Sequence, residues 1–265
     1  MRKTTGTMTG RIEGPFAPVL LFLAALMSLI PVAAPAAAAP CERMTFEGED
    51  YVLCTVPKGA DLRVWHSDAS GSLYGSFRRI DNDLRMEGRR LGFAMNGGMY
   101  HADRAPVGLL VTEGVEHTPL VTGASTGNFG MLPNGLFCIG ESGFAVVESR
   151  AFARHPLPCS FATQSGPMLV IDGKLHPRFL PDSDSRFIRN GVGVRQDGTA
   201  VFAISDRPVT FYEFGRLFLD GLKTPNALYL DGKISRLYAP ALRRNDFGFP
   251  MGPILGLVTA ENADD

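Results

Sequence analysis

The chain has no surplus of positive charge: 26 Lys and Arg stand against 27 Asp and Glu, a formal net charge of −1. With 45% hydrophobic and 20% charged residues, its composition is that of a globular protein, which argues against disorder and against a nucleic-acid partner. Histidine and cysteine are scarce, at five and four residues. They form no C-x-x-C pair and no spaced histidine pair, so a zinc site is not expected. An internal repeat and a Pro/Gly-rich linker are also missing from the mature part, which leaves one domain as the simplest reading.

What is present at the N-terminus reads as an address. Arg2, Lys3 and Arg11 precede an apolar stretch, Phe16 to Ile30, which is followed by the helix-breaking, small-residue segment Pro31 to Pro40. This is the layout of a secretory signal peptide, with cleavage expected just upstream of Pro40; the alternative is an uncleaved N-terminal anchor, since the apolar character continues from Phe16 to Pro40. A lipoprotein reading of Cys41 is weak, because Pro40 stands where a small residue is needed. The expected organisation is a signal peptide over 1–39, a domain over 40–260 and an acidic tail over 261–265. The mature protein is then secreted or periplasmic, with no stable membrane association after cleavage. Roughly 227 residues remain, enough for a sizeable core.

All four cysteines lie downstream of the signal, and an even count in an exported chain suggests two disulfides out of three connectivities. Cys41 and Cys54 flank two strand-like runs around a turn, which favours 41 with 54 and 138 with 159. Phe77, Ile80 and Leu84 recur at helical spacing between an N-cap at Ser76 and a terminating Gly88. A second helix is expected from Phe211 to Leu222, opened by the capping box Thr210 and Glu213. Elsewhere short apolar runs alternate with turns, and Asp172-Gly173, Asp197-Gly198 and Asp231-Gly232 each read as a hairpin turn. The expected fold class is α+β, a single domain with mixed or antiparallel β-sheet and a few helices.

Polar residues with chemical use cluster where strands end. The apolar run Leu91 to Met95 stops at Asn96-Gly97-Gly98, and Tyr100, His101, Asp103 and Arg104 follow before Pro106 resumes an apolar run. Gln164-Ser165-Gly166-Pro167 stands just before another strand. Arg186 and Arg189 sit near Asp182 and Asp184 and lead through Asn190 into a further strand. They read either as a surface ion-pair cluster or as guanidinium forks offered to a phosphate or carboxylate. Asp172 and Asp231 have almost the same neighbours, and nothing local separates them. Gly123-Ala-Ser125-Thr-Gly127 matches the serine nucleophile elbow, but a loop rather than a helix follows the serine.

Together these segments resemble the phosphodiester glycosidase family, in particular its compact exported bacterial branch. The resemblance runs from about residue 43 to 258. It rests on Asn96-Gly-Gly-Met-Tyr100, Pro106-Val-Gly-Leu109, Gly127-Asn-Phe129 with Pro133-Asn-Gly135, Gln164-Ser-Gly-Pro167, Arg189-Asn-Gly-Val-Gly193 and Asn226 through Asp231-Gly232 to Ser235. It implies hydrolysis of a sugar-1-phosphodiester to a free sugar and a phosphomonoester, with no metal or other cofactor required. On this reading Arg186 and Arg189 bind the phosphate, and Asp231 stabilises an oxocarbenium-like sugar or activates water. His101 carries a proton, and Asn96, Tyr100 and Gln164 hold sugar hydroxyls. Gly97 and Gly98 permit close approach, and Ser165, Gly166, Asn190 and Ser235 complete the substrate site. The resemblance also selects Asp231 over Asp172. In one departure, Lys233 replaces the second glycine of the family's Leu-Asp-Gly-Gly-x-Ser. Two other readings are a glycan-binding envelope protein without turnover and a serine esterase acting through Ser125.

Overall fold

Three antiparallel sheets wrap around one shared apolar core in the computed structural model, which describes residue 10 and residues 40–261. Apart from Gly10, the expected signal segment 1–39 lies outside the described residues, as do residues 262–265 of the expected tail. The first sheet has seven strands in the order Cys41–Phe46, Glu49–Val56, Ala200–Ser205, Asn190–Val194, Asn226–Asp231, Met168–Ile171 and Lys174–Leu175. The second has five: Arg244–Asn245, Leu237–Ala239, Arg89–Asn96, Ile254–Ala260 and Leu62–Trp65. The third, also of five, runs Val115–Thr118, Leu110–Thr112, Phe161–Ser165, Gly135–Gly140 and Gly143–Glu148. The expected α+β class holds, and the pairings within the sheets are antiparallel.

The two-residue period of a strand decides which side chains meet in the centre. In Ala200–Ser205, Phe202 and Ile204 join the shared core, where Phe202 meets Phe93 of the second sheet and Phe137 of the third. Val201 and Ala203 face the other way, onto the layer formed by the second expected helix. The first helix, Phe77–Met86, covers the outer face of the second sheet with Phe77, Ile80 and Leu84. It begins at the Ser76 cap, and Gly88 follows its end with φ +68°, as its sequence signals require.

The second expected helix needs correction. The capping box forms as read, but the α-helix covers only Phe211–Arg216 and then widens into a π turn, Leu217–Gly221. The Leu222 amide donates to the Leu217 carbonyl at 2.8 Å, which returns Leu222 over Leu217 and buries both against the sheet. A short helix, Ser149–Arg154, has no counterpart in the sequence reading; the Glu148 carboxylate caps its Ala151 amide at 2.7 Å. Both disulfides pair as expected. Cys41 faces Cys54 directly across two neighbouring strands, and Cys138 joins Cys159 beside the third sheet.

Glycine at 191 is what lets the Phe211 helix lie flat on the first sheet. A Cβ there would sit 2.8 Å from the Leu228 carbonyl oxygen and 3.1 Å from the Phe214 ring, closer than such atoms pack. Gly191→Ala is expected to lower unfolding stability by about 1–3 kcal/mol in a urea titration, since neither neighbour is a flexible side-chain tip.

Candidate active site

The backbone separates the two aspartates that the sequence could not. Asp172 (φ 46°) and Gly173 (φ 74°) form an exposed two-residue turn joining Met168–Ile171 to Lys174–Leu175, a hairpin as expected. Asp231 is no hairpin residue. It ends the strand Asn226–Asp231, and the chain then leaves the first sheet, because the next strand, Leu237–Ala239, belongs to the second. The expected turn at Asp231-Gly232 is replaced by a local loop in which the Asp231 carboxylate accepts the Gly232 and Lys233 amides at 2.6 and 2.9 Å through the same oxygen, Oδ1.

Two fully buried asparagines hold that loop in place. Asn96 and Asn190 pair through their amide groups, with Nδ2 of Asn190 donating to the Asn96 carbonyl at 3.1 Å and to its Oδ1 at 3.2 Å. Asn190 Oδ1 accepts the Asp231 amide at 3.1 Å, and Asn96 Oδ1 accepts the Arg236 amide at 2.9 Å. Ser235 Oγ lies 2.8 Å from the Asp231 carbonyl oxygen and 2.9 Å from that of Ile188. These three expected substrate ligands therefore act on the loop that carries Asp231, and their polar atoms are engaged within the protein.

Asp231 opens into a cleft of about 670 Å³, lined also by Met99, Tyr100, His101, Val107, the stretch Ser125 to Phe129, Phe187, Tyr229, Gly232, Lys233 and Ile234. Burial raises the Asp231 carboxyl above the usual carboxylate range, against the opposing pull of its amide donors and Lys233. Burial, reinforced by the Asp231 charge, likewise raises the Tyr100 phenol. Among the described residues the buried Tyr100 hydroxyl has no side-chain hydrogen-bond partner; the Gly252 backbone lies beside it, and the ring packs so closely on Gly252 that no Cβ fits there. His101 lines the same cleft from an exposed turn closed by the bond from its amide to the Ala105 carbonyl.

Several expected ligands lie elsewhere. Gln164 is buried, and its side chain clamps backbone: Oε1 accepts the Leu109 and Val121 amides at 2.9 and 3.0 Å, and Nε2 donates to the Val121 carbonyl and to Ser149 Oγ. Ser165 Oγ donates to the Leu230 carbonyl at 2.8 Å, and Gly166 packs on Asn134 and Phe129. Gly97 and Gly98 do serve close approach, but of protein to protein. Gly97 meets Pro253, and Gly98 meets the Gln164 carbonyl and donates to Thr163 Oγ1 at 3.0 Å.

The two arginines are both engaged within the protein. Arg186 bridges Glu49 and Glu213, each at 2.9 Å, and is absent from the cleft lining. Arg189 is fully buried: it donates to the Val209 and Ser185 carbonyls at 2.8 Å and to the Tyr229 hydroxyl at 3.3 Å, with its guanidinium 3.7 Å from the centre of the Phe211 ring. It stands behind the cleft floor, against Tyr229 and the Phe187 ring, which both line the cleft. Tyr229 and Phe187 escaped the sequence reading. The signal for Tyr229 was there, since it sits two residues before Asp231 and so on the same face of the strand. Ser125 lies in the cleft wall, but no helix follows it, so the elbow geometry is absent. Among the described residues, no group of three or more His, Cys, Asp or Glu could hold a metal ion.

Comparison with known proteins bears on the whole arrangement. A family model described as phosphodiester glycosidase matches residues 90–248. The uncharacterized protein YigE of Escherichia coli (strain K12) is 35% identical over 182 residues, covering 69% of this chain and 71% of that protein. Among solved structures, the catalytic domain of zebrafish N-acetylglucosamine-1-phosphodiester α-N-acetylglucosaminidase superposes with a TM-score of 0.56 at 13% identity, over 82% of this chain and 81% of that one. A hypothetical protein from Synechocystis gives 0.54 at 13% identity, over 83% and 61%. At such identities the last two speak for the fold.

The internal roles of Gln164 and Tyr100 differ measurably. Gln164→Leu strands the buried Leu109 amide and the half-buried Val121 amide and is expected to lower stability by about 3 kcal/mol in denaturant titration. Tyr100→Phe removes a hydroxyl that holds no other side chain among the described residues. Its stability should stay within about 0.5 kcal/mol of the parent in the same assay, or rise.

Proposed function

Since the chain belongs to the phosphodiester glycosidase family, we propose that it hydrolyses a sugar-1-phosphodiester in the Asp231 cleft, outside the cytoplasm. The observation that carries this reading is a single carboxylate, partly buried and fixed at one oxygen by two amides, facing open space beside the buried Tyr100 phenol. The bond between the sugar C1 and the phosphate oxygen breaks, and the electron pair leaves with the phosphate. Water supplies hydroxide to C1. Phosphate is already a good leaving group, so the demand on a general acid is smaller than in an ordinary glycoside, and charge stabilisation matters more.

Ionised Asp231 stabilises the developing positive charge at C1 or takes the proton of the attacking water. Tyr100 hydrogen-bonds the substrate beside it, and His101, exposed on the rim, is the proton carrier. Asn96, Asn190 and Ser235 are positioning residues that act through the Asp231 loop. Two disulfides fit an oxidising compartment, and no helix among the described residues is long and apolar enough to cross a membrane.

The test is release of reducing sugar from a panel of sugar-1-phosphodiesters. Turnover should fall by roughly 10²–10⁴-fold in Asp231→Asn. Binding of the diester with no turnover in the parent would favour a glycan-binding protein instead. Covalent labelling of Ser125 by an organophosphate would favour the esterase.

Acidity gives a second check. Because ionised Asp231 is the working form and its carboxyl is raised by burial, the acid limb of kcat/KM should lie above the ordinary aspartate value of about 3.9. The same shift sets a sign for stability. A folded-state value above the unfolded one makes the ionised carboxylate unfavourable to folding. That cost is absent below the unfolded value, grows between the two values and is complete above the folded one. Asp231→Asn keeps an Oδ1 for both amides, so it should be at least as stable as the parent at neutral pH, with the difference vanishing in acid.

A further inference from the structure

We infer that Lys233 is the phosphate-binding cation of this cleft, an inference that rests on the phosphodiester reading above. That reaction needs a positive charge at the phosphate, and the two arginines that the sequence offered are spent elsewhere. Arg186 is held between Glu49 and Glu213, and Arg189 has no solvent exposure. Lys233 lines the cleft and is exposed, and among the described residues it makes no ion pair.

Its backbone is fixed relative to the Asp231 carboxylate. The Lys233 amide donates to Asp231 Oδ1 at 2.9 Å, while its ammonium charge is felt at Asp231, lowering the affinity of that carboxyl for its proton. Lys233 is not among the residues with positive φ, so the lysine occupies the family's glycine position without backbone strain. Asp231 is the only carboxylate lining the cleft among the described residues, which leaves the ammonium free for an anionic substrate. Behind the floor the buried charge of Arg189 adds to the positive potential through Tyr229.

Cleavage sharpens the need for this cation. A diester carries one negative charge on its phosphate. When the C1–O bond breaks, the departing monoester gains a second from the released electron pair. An ammonium that touches the phosphate oxygens is therefore worth more in the transition state than in the ground state, and it acts on kcat as well as on KM. It also makes the cleft a site for phosphate itself.

The experiment compares parent, Lys233→Met and Lys233→Arg in two assays: hydrolysis of a sugar-1-phosphodiester, and the rise in Tm caused by inorganic phosphate. Lys233→Met is expected to lower kcat/KM by about 10–100-fold and to abolish the phosphate-induced rise, whereas Lys233→Arg keeps both within a few-fold. Without phosphate, all three should melt together, because the side chain is exposed. If the parent cleaves the diester and Lys233→Met does so equally well, Lys233 is not the cation and the phosphodiester reading survives. If no diester is cleaved but phosphate raises Tm in a Lys233-dependent way, the anion site stands and the phosphodiester reading falls. A parent whose Tm does not respond to phosphate overturns the inference.

Discussion

The paired amides of Asn96 and Asn190 are the constraint on which the site depends. Each residue ends or begins a strand, one in the second sheet and one in the first, and neither has any exposure. A buried amide must find partners for its donors and its acceptor. These two find them in each other and in the backbone of residues 231 and 236. One pair thus joins two sheets and fixes both ends of the loop that follows Asp231. The direction of the carboxylate is set by the core, and the loop contributes the amides that hold one of its oxygens.

Charge is sorted by the same architecture. Arg189 is a fully buried cation with no ion-paired carboxylate among the described residues, which would be prohibitive unless its donors were met. Two carbonyls, a phenol and the face of Phe211 meet them. The arrangement places a permanent positive charge beneath Tyr229, where no solvent screens it. Arg186, by contrast, ties the Phe211 helix to the first pair of strands through Glu213 and Glu49. Two arginines three residues apart thus have unrelated duties, one as a field beneath the cleft and one as a surface brace.

This explains what the sequence could and could not disclose. Strand alternation, caps and the spacing of cysteines are local, so the sheets, the Phe77 helix and both disulfides were legible. The likeness of Asp172 to Asp231 was not resolvable locally, because the difference lies in where the chain goes next: back along the same sheet after Asp172, across to another after Asp231. Gln164, Ser165, Asn96 and Asn190 looked like ligands because polar residues at strand ends so often are. Their donors and acceptors are instead consumed by backbone from distant parts of the chain, at separations such as 94 residues for the asparagine pair. Only the folded molecule reveals such partners. The π turn was hidden for a related reason, since it depends on how Leu222 packs on the sheet and not on helix propensity.

The two positions after Asp231 are constrained in opposite ways. At Gly232 a Cβ would collide with the Tyr229 hydroxyl, which Arg189 holds from behind, so glycine there is required by packing and cannot vary without displacing the floor of the cleft. Position 233 has ordinary φ, an exposed side chain and open space before it. Its amide, which every residue except proline shares, is all that the Asp231 loop asks of it. The fold is therefore indifferent to the side chain at 233. One substitution at 233 changes the charge presented to the cleft beside the Asp231 carboxylate, leaving the geometry of that carboxylate as the asparagine pair sets it.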